Sequence, residues 1–404
     1  MKVTTSLTAG LPVLTVEQMD ADPHGTFRSW RATHPVVAHE AGSYVVLRYA
    51  DVERISKDPR VQATGTGFPK LLGVTEGALY DGFDLGMLTA NGEAHRRRRS
   101  PFSRTFAPRM IAELRPRMRQ AAEELIADWF ADGSVEFVDR FAAQMPARVI
   151  SSLLGLPRED IPEFTRLVYQ VTKFVNLSVT QEEIPLCEAA ARQLFDYVER
   201  TLDDRRRTPR GDFLSTFLAA ADEAASMSPA EVIFQIIQLI VAGTDTTRVA
   251  IAAEVALLLQ HREQWEAVCR DPGLIPGAVA EAMRFEPSVA SFSRIATEDI
   301  DVNGVPLPAG AFVTLSTMSA MRDENAYQQP DVFDIRRTDQ PRLHPIFGAG
   351  AHRCLGEALA RAELEECLAV LTARVPHLQL DEAPVIRGHA SIRRIDRMCV
   401  SWRT

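Results

Sequence analysis

Leu364, Leu368, Leu371 and Val375 recur at spacings of four, three and four, which puts them on one face of a helix starting just after residue 354. Far upstream, Ser228-Pro229-Ala230-Glu231 reads as another helix start. Ser is the N-cap, Pro takes the first position, and Glu closes a capping box. The apolar pattern after it runs to about Gln260, which at about 1.5 Å per residue is on the order of 50 Å of helix. Its middle, Ala242-Gly243-Thr244-Asp245-Thr246-Thr247, is weak helix sequence. Gly and Thr are poorer helix formers than Ala or Leu, and Thr hydroxyls can bond back to carbonyls one turn earlier. From Ala94 to about Leu259 the pattern is mainly helical, with breaks such as Arg207-Thr208-Pro209-Arg210-Gly211. Residues Phe27 to Ile55 look β-containing, with Tyr44-Val45-Val46-Leu47 as a short buried strand. Residues 287–315 return to short strands and turns, marked by Asp301-Val302-Asn303-Gly304-Val305 and Pro308-Ala309-Gly310-Ala311. The stretch 321–350 is irregular. The pattern predicts a mainly α protein with small β-sheets. There is no internal repeat and no convincing linker, although the length alone would suggest two or three domains.

Chemistry concentrates in Phe347-Gly348-Ala349-Gly350-Ala351-His352-Arg353-Cys354-Leu355-Gly356. A glycine-rich loop presents one cysteine at or just before a helix N-terminus, where the helix dipole and unpaired amides favour thiolate over thiol. The glycines allow the backbone to pass close to a flat ligand. Taken alone, Cys354 could be buried filler, a nucleophile, or part of an anion loop. The phosphate version of the last fails, because no Gly-Lys-Ser/Thr follows. The segment resembles the haem-binding loop of the cytochrome P450 family, Phe-Gly-x-Gly-x-His-x-Cys-x-Gly, at every defined position, and the resemblance extends from about residue 25 to the C-terminus.

That resemblance implies a single prism-shaped, helix-rich domain over residues 1–404, with a short N-terminal arm at about 1–20 and haem b between the long central helix and the cysteine-loop helix. Cys354 would be the axial iron ligand, with Phe347, Gly348, His352 and Gly356 shaping its loop. Ala242 and Gly243 would lie on the distal side. There Thr246 would hold bound oxygen and a water chain, and Asp245 would feed protons. His95 and Arg99 match the family's His-x-x-x-Arg pair, and with Arg294 and His352 would hold the haem propionates. Glu281 and Arg284 match its Glu-x-x-Arg ion pair. The family's third partner precedes the Phe of Pro330-Asp331-Val332-Phe333, where this chain has Val332; Arg336 and Arg337 are the candidate substitutes. By the same analogy the substrate pocket draws on Phe68 to Leu88, Leu167 to Leu177 and Val289 to Ser293. Within or beside these, the candidates are Phe68, Leu72, Tyr80, Phe83, Phe174, Ile240, Val241, Val289 and Phe292. Lys70 or Lys173 could hold a substrate carboxylate. Arg393-Arg394-Ile395-Asp396-Arg397 is unusually charged for a stretch the family often places at the pocket, and is either solvated or a mark of a polar substrate.

Composition narrows the setting. Hydrophobic content of 46% and charged content of 25% are ordinary for a globular protein. Net charge −9 argues against nucleic acid. The five cysteines are odd in number and scattered, which suits reduced cytoplasmic thiols. No secretory pattern and no uninterrupted apolar stretch of membrane-spanning length is read, so no membrane partner is expected. Between Ala94 and Ala112 there are six arginines and no acid. Arg96, Arg97, Arg98, Arg104 and Arg109, with Arg353, would form a basic proximal face for an acidic 2Fe-2S ferredoxin or a flavodoxin. The expected activity is a haem-thiolate monooxygenase, a monomer inserting one atom of O2 into a small to medium apolar or aromatic molecule. NAD(P)H would supply electrons through redox partners. The rivals are a peroxide-driven peroxygenase and a non-catalytic haem sensor or carrier.

Overall fold

A computed structural model describes residues 10–106, 108–176, 179–340 and 345–403. The chain forms two compact units, each assembled from separate stretches. The first contains residues 1–64, 253–354 and 384–396, and the second 65–252, 355–383 and 397–404. The expectation of one domain therefore meets a chain that passes repeatedly from one unit to the other.

The first unit is built on a six-stranded sheet. Its strands run in the order Val13–Leu14, Val36–His39, Tyr44–Val46, Phe312–Ser316, Ser291–Ala296, Val61–Gln62. Period-2 alternation explains its burial. Val36 and Val46 join Val313 and Leu315 in one apolar cluster. Their neighbours Val37 and Val45 face the other way, onto Phe27 and Leu47. The β reading of Phe27–Ile55 holds only in its middle, because Pro23–Arg31 and Tyr49–Ser56 are helices. The expected N-terminal arm is also partly structured, since Val13–Leu14 pairs with the Val36–His39 strand and Val16–Ala21 is helical. The Asn303-Gly304 signal is realised as a tight hairpin between Ile300–Val302 and Val305–Leu307, with both residues at positive φ.

Behind this sheet, buried ions tie distant segments of the same unit together. Glu286 accepts from His24 at 2.9 Å, from Arg322 at 3.0 Å and from Arg393. Burial opposes its charge, yet Arg393, His24 and Arg322 hold its carboxyl well below the ordinary range. Arg393 is 2% exposed and also donates to the carbonyls of Gly388 and Ile386. Its charge is consumed in holding the fold together, whereas Arg394, Asp396 and Arg397 of the same stretch are exposed.

The second unit is almost entirely helical. Helix Glu357–Arg374 packs along helix Pro108–Trp129, burying Leu364, Leu368 and Leu371 as the spacing predicts. Arg115 and Arg119 on one helix pair with Glu366 on the other, and Arg115 also pairs with Glu365. Helix Pro229–Gln260 starts at the expected capping box. Ser228 N–H donates to Glu231 Oε2 at 2.8 Å, and Glu231 N–H donates to Ser228 Oγ at 3.2 Å. By length and hydropathy this helix, alone among those described, could cross a membrane, which the reading for uninterrupted apolar stretches passed over. However, 67% of its most apolar window is buried inside the protein, as a core helix would be.

Candidate active site

The candidate residues divide between the units. In the first, the loop 345–354 folds as a short turn over Pro345–Phe347, with Gly348 N–H donating to Pro345 O at 2.8 Å. The chain then reverses through Gly348 (φ +71°) and Gly350 (φ +66°), a conformation other residues adopt only with strain. Cys354 N–H returns to Phe347 O at 2.7 Å, and the Arg353 guanidinium donates to Gly348 O at 2.8 Å. A side chain at Gly350 would come within 3.2 Å of Ser56 O, and one at Gly348 within 3.8 Å of the Phe292 ring. The result is a rigid loop with Cys354 exposed, two residues before the N-cap Gly356 of the next helix. Cys187 and Cys367, by contrast, are buried. His352 is half-buried in the same loop.

Arg294 belongs to the same unit, on the strand Ser291–Ala296. Its guanidinium donates to Ser293 O at 2.9 Å and sits 5.8 Å from the centroid of the Phe292 ring. Among the described residues it has no carboxylate partner, and burial pushes its pKa down to about 10. A desolvated cation of this kind calls for an anion. Val289 is half-buried, its carbonyl taken by the Thr317 hydroxyl.

Glu281 and Arg284 are both fully buried and pair through 2.7 Å bonds. The third cation is Arg337, with Nε 3.1 Å from Glu281 Oε2. Gln340 and the Asp334 amide complete the carboxylate's bonds. Val332 contributes its backbone instead of a side chain, since its carbonyl accepts from both Arg284 and Arg337. The choice left open between Arg336 and Arg337 thus falls to Arg337.

In the second unit, the helix Pro229–Gln260 carries both expected back-bonds. Thr244 Oγ1 donates to Ile240 O at 2.6 Å, and Thr246 Oγ1 donates to Ala242 O at 2.7 Å. Gly243 is required by packing, since a Cβ there would meet Ile150 Cδ1 at 2.9 Å. Asp245 is 1% exposed and its carboxylate is clasped from two sides. Arg248, one turn on, approaches to 2.6 Å, and the Asn176 amide donates to the other oxygen. Arg248 in turn lies 5.2 Å from the centroid of the Tyr169 ring. The sequence reading missed both partners. The Asp-x-x-Arg spacing could have suggested Arg248, but nothing local pointed to Asn176.

His95 and Arg99 share the helix Gly92–Thr105. His95 is buried, and its imidazole is held below its ordinary value by that burial and then by Arg99 and Arg96. The expected basic face fares differently and needs correction. Arg97 and Arg98 both grip Glu231, at 2.6 and 2.9 Å. Arg96 pairs with Glu93, Arg104 with Glu223 and Arg109 with Glu113. These five charges are neutralised by partners that a linear count of the run does not include.

Of the pocket candidates, Phe68, Phe83 and Phe174 come together, with ring centroids 5.4, 5.6 and 6.1 Å apart. Ile240 and Val241 are buried on the long helix. Leu72 and Tyr80 are half-buried outside that trio, Tyr80 beneath Lys70 at 5.8 Å. Lys173 is paired with Glu183 at 3.2 Å, which removes it as a free carboxylate anchor. Leu177, the end of one candidate region, lies outside the described residues.

Each unit carries residues whose chemistry suits a flat dianionic haem: in the first, an exposed cysteine on a glycine loop for the iron and a desolvated arginine with no carboxylate partner among the described residues for a propionate; in the second, a buried histidine four residues before an arginine on one helix. The family model "Cytochrome P450" matches residues 13–271 and 274–374. The chain is 42% identical over 386 residues to the plant-inducible cytochrome P450-pinF1 of Rhizobium radiobacter, covering 95% of this chain and 91% of that protein. It is 35% identical over 371 residues to nocardicin C N-oxygenase of Nocardia uniformis subsp. tsuyamanensis, covering 90% of each. The crystal structure of CalO2 superposes with a TM-score of 0.89 at 29% identity, covering 96% of this chain and 97% of that one. Loop, fold and relatives agree: this chain belongs to the cytochrome P450 family, with haem b as its cofactor and monooxygenation as its chemistry.

Proposed function

We propose that this monooxygenase oxidises a small to medium apolar or aromatic molecule, with electrons from a ferredoxin or flavodoxin and its NAD(P)H-dependent reductase. When bound through Cys354, haem supplies O2 activation and oxygen-atom transfer, helped by the electron donation of the thiolate. The substrate class is supported by the Phe68–Phe83–Phe174 cluster, which offers ring faces and edges to a flat apolar guest. Arg294, His95, Arg99 and His352 would neutralise the propionates.

Asp245 and Thr246 divide the proton work. Thr246 Oγ1 spends its own proton on Ala242 O, so its lone pairs remain to order a water or accept a proton donor's bond. The Asp245 carboxylate is held by Arg248 and Asn176. To move a proton it must exchange one of these bonds for a water, which makes the clasp part of the delivery step. The intact acid–alcohol pair favours O2-driven turnover over peroxide-driven turnover.

The dithionite-reduced protein under carbon monoxide should give the red-shifted, thiolate-type Soret band, and Cys354→Ser should abolish it. With NADH, ferredoxin and reductase, Asp245→Asn should slow product formation by about 10²-fold. Thr246→Ala should keep NADH consumption while most of it ends as peroxide. Product formation by the unsubstituted enzyme with peroxide alone, and none with NADH, ferredoxin and reductase, would favour the peroxygenase instead.

A further inference from the structure

The stretch Gly77–Leu88, which carries Phe83, is fastened to its own unit at both ends by polar side chains from elsewhere. At its start, the Glu188 carboxylate caps the helix Ala78–Asp84, accepting from the Ala78 amide at 2.7 Å and the Leu79 amide at 2.9 Å. At its end, the Gln238 side-chain amide works in both directions. Nε2 donates to Gly82 O at 2.9 Å, and Oε1 accepts from Leu88 N–H at 2.9 Å. Gln235, one turn earlier on the same helix, donates to Leu85 O at 2.8 Å.

Glycines stand where these anchors arrive. A Cβ at Gly77 would lie 2.6 Å from Glu188 Oε1, and one at Gly86 would overlap the Gln238 amide. Gly77 also needs its φ of +93°, whereas Gly86 has no positive φ and is glycine for the sake of the contact alone. Two amides in the otherwise apolar run Val232-Ile233-Phe234-Gln235-Ile236-Ile237-Gln238-Leu239-Ile240 would be costly in a core helix without such partners.

We propose that Gln238 is a positioning residue for substrate selectivity: it clamps Gly77–Leu88 onto the long helix while Glu188 ties the start of the stretch to the helix Ile184–Arg207, and together they fix the Phe83 ring against Phe68 and Phe174. The inference rests on the reading that this aromatic trio receives the substrate. Backbone carbonyls and amides, and not side chains, are what the clamp holds. The strap can therefore change its side chains without losing its seat, and the seat sets how much room the rings leave.

The test titrates imidazole and 4-phenylimidazole into the ferric haem-loaded enzyme and follows the Soret shift. Both probes reach the iron through nitrogen, but only the second fills an aromatic pocket. Gln238→Ala is expected to weaken 4-phenylimidazole by about tenfold while leaving imidazole and the carbon monoxide band unchanged. Gly86→Ala, whose new methyl displaces the amide, should reproduce that loss. The double variant should be no weaker than Gln238→Ala, because the methyl then has no amide to displace. Phe83→Ala tests the underlying reading separately. If it leaves 4-phenylimidazole binding intact, the aromatic pocket is wrong. If Phe83→Ala weakens binding and both Gln238→Ala and Gly86→Ala do not, the clamp is wrong. Equal weakening of both probes by Gln238→Ala and by Gly86→Ala would also overturn it, as general loosening.

Discussion

Single side chains here are used in ways that their type alone does not disclose. Glu281 is buried with two arginines and a glutamine around it, and the network closes only because Arg337 replaces a side chain that Val332 lacks. Removing Arg337 leaves one carboxylate with one fewer cation. Arg337→Ala should lower stability by about 1–3 kcal/mol, whereas Arg284→Ala, which strands a fully buried charge, should cost about 3–5 kcal/mol. Denaturant unfolding of the haem-loaded protein separates the two. Glu363 is the opposite case. It is buried, its Oε1 lacks a partner among the described residues, and burial pushes its carboxyl up to about 8. The folded state therefore binds a proton that the unfolded chain has released, and stability falls as pH rises from about 4.5 towards 8. Glu363→Gln should flatten that fall. Thermal midpoints at pH 5 and pH 8 give the comparison, and an unchanged slope would mean the residue ionises freely.

At the scale of elements, boundaries were legible wherever the signal is local. The Ser228–Glu231 capping box, the Asn303-Gly304 turn and the Leu364–Leu371 face are all set by residues within a few positions of one another. What could not be read is what else those residues do. Glu231 also takes Arg97 and Arg98, and hydrogen bonding from Arg97 holds its carboxyl down to about 2. Its contribution is fully present above the unfolded value of about 4.5 and is lost as pH falls towards 2. Glu231→Gln should remove on the order of 3 kcal/mol of this acid-sensitive stability at neutral pH and leave the variant less pH-dependent below about 5. The arginine run looked like one surface because a sequence shows charges and not their partners. Asn176 and Gln238 escaped for the same reason: each acts on an element distant in the chain. The cysteine loop was legible because its chemistry is packed into ten consecutive residues.

For the whole molecule, the pairing of the arginines changes what is expected of electron transfer. With Arg96, Arg97, Arg98, Arg104 and Arg109 all engaged by carboxylates, these five are expected to add little long-range attraction for an acidic partner. Raising ionic strength from about 50 to about 300 mM should slow ferredoxin-driven turnover by about threefold or less. A tenfold fall would show that the partner docks through charges these bridges do not hold. Arg97→Glu is the wrong probe for docking, because it breaks the seat of the long helix; Arg104→Glu, at an exposed bridge, is the informative one.

The six-stranded sheet carries a consequence for how the chain is made. Tyr44, Val45 and Val46 pair with Val313, Thr314 and Leu315, and Val61 pairs with Ala296. A ribosome releases the first partners long before the second exist. Until residue 316 emerges, the hairpin Val36–Val46 offers a bare β edge. Closing that gap pays a long-loop entropy before any contact rewards it. Refolding should therefore be rate-limited by completion of this sheet, while the helices of the second unit form early. A fragment ending at Gln260 should acquire helix but leave Tyr44–Val46 open to proteolysis and to pairing with other chains, so the price of this architecture is a nascent chain that needs shielding during synthesis.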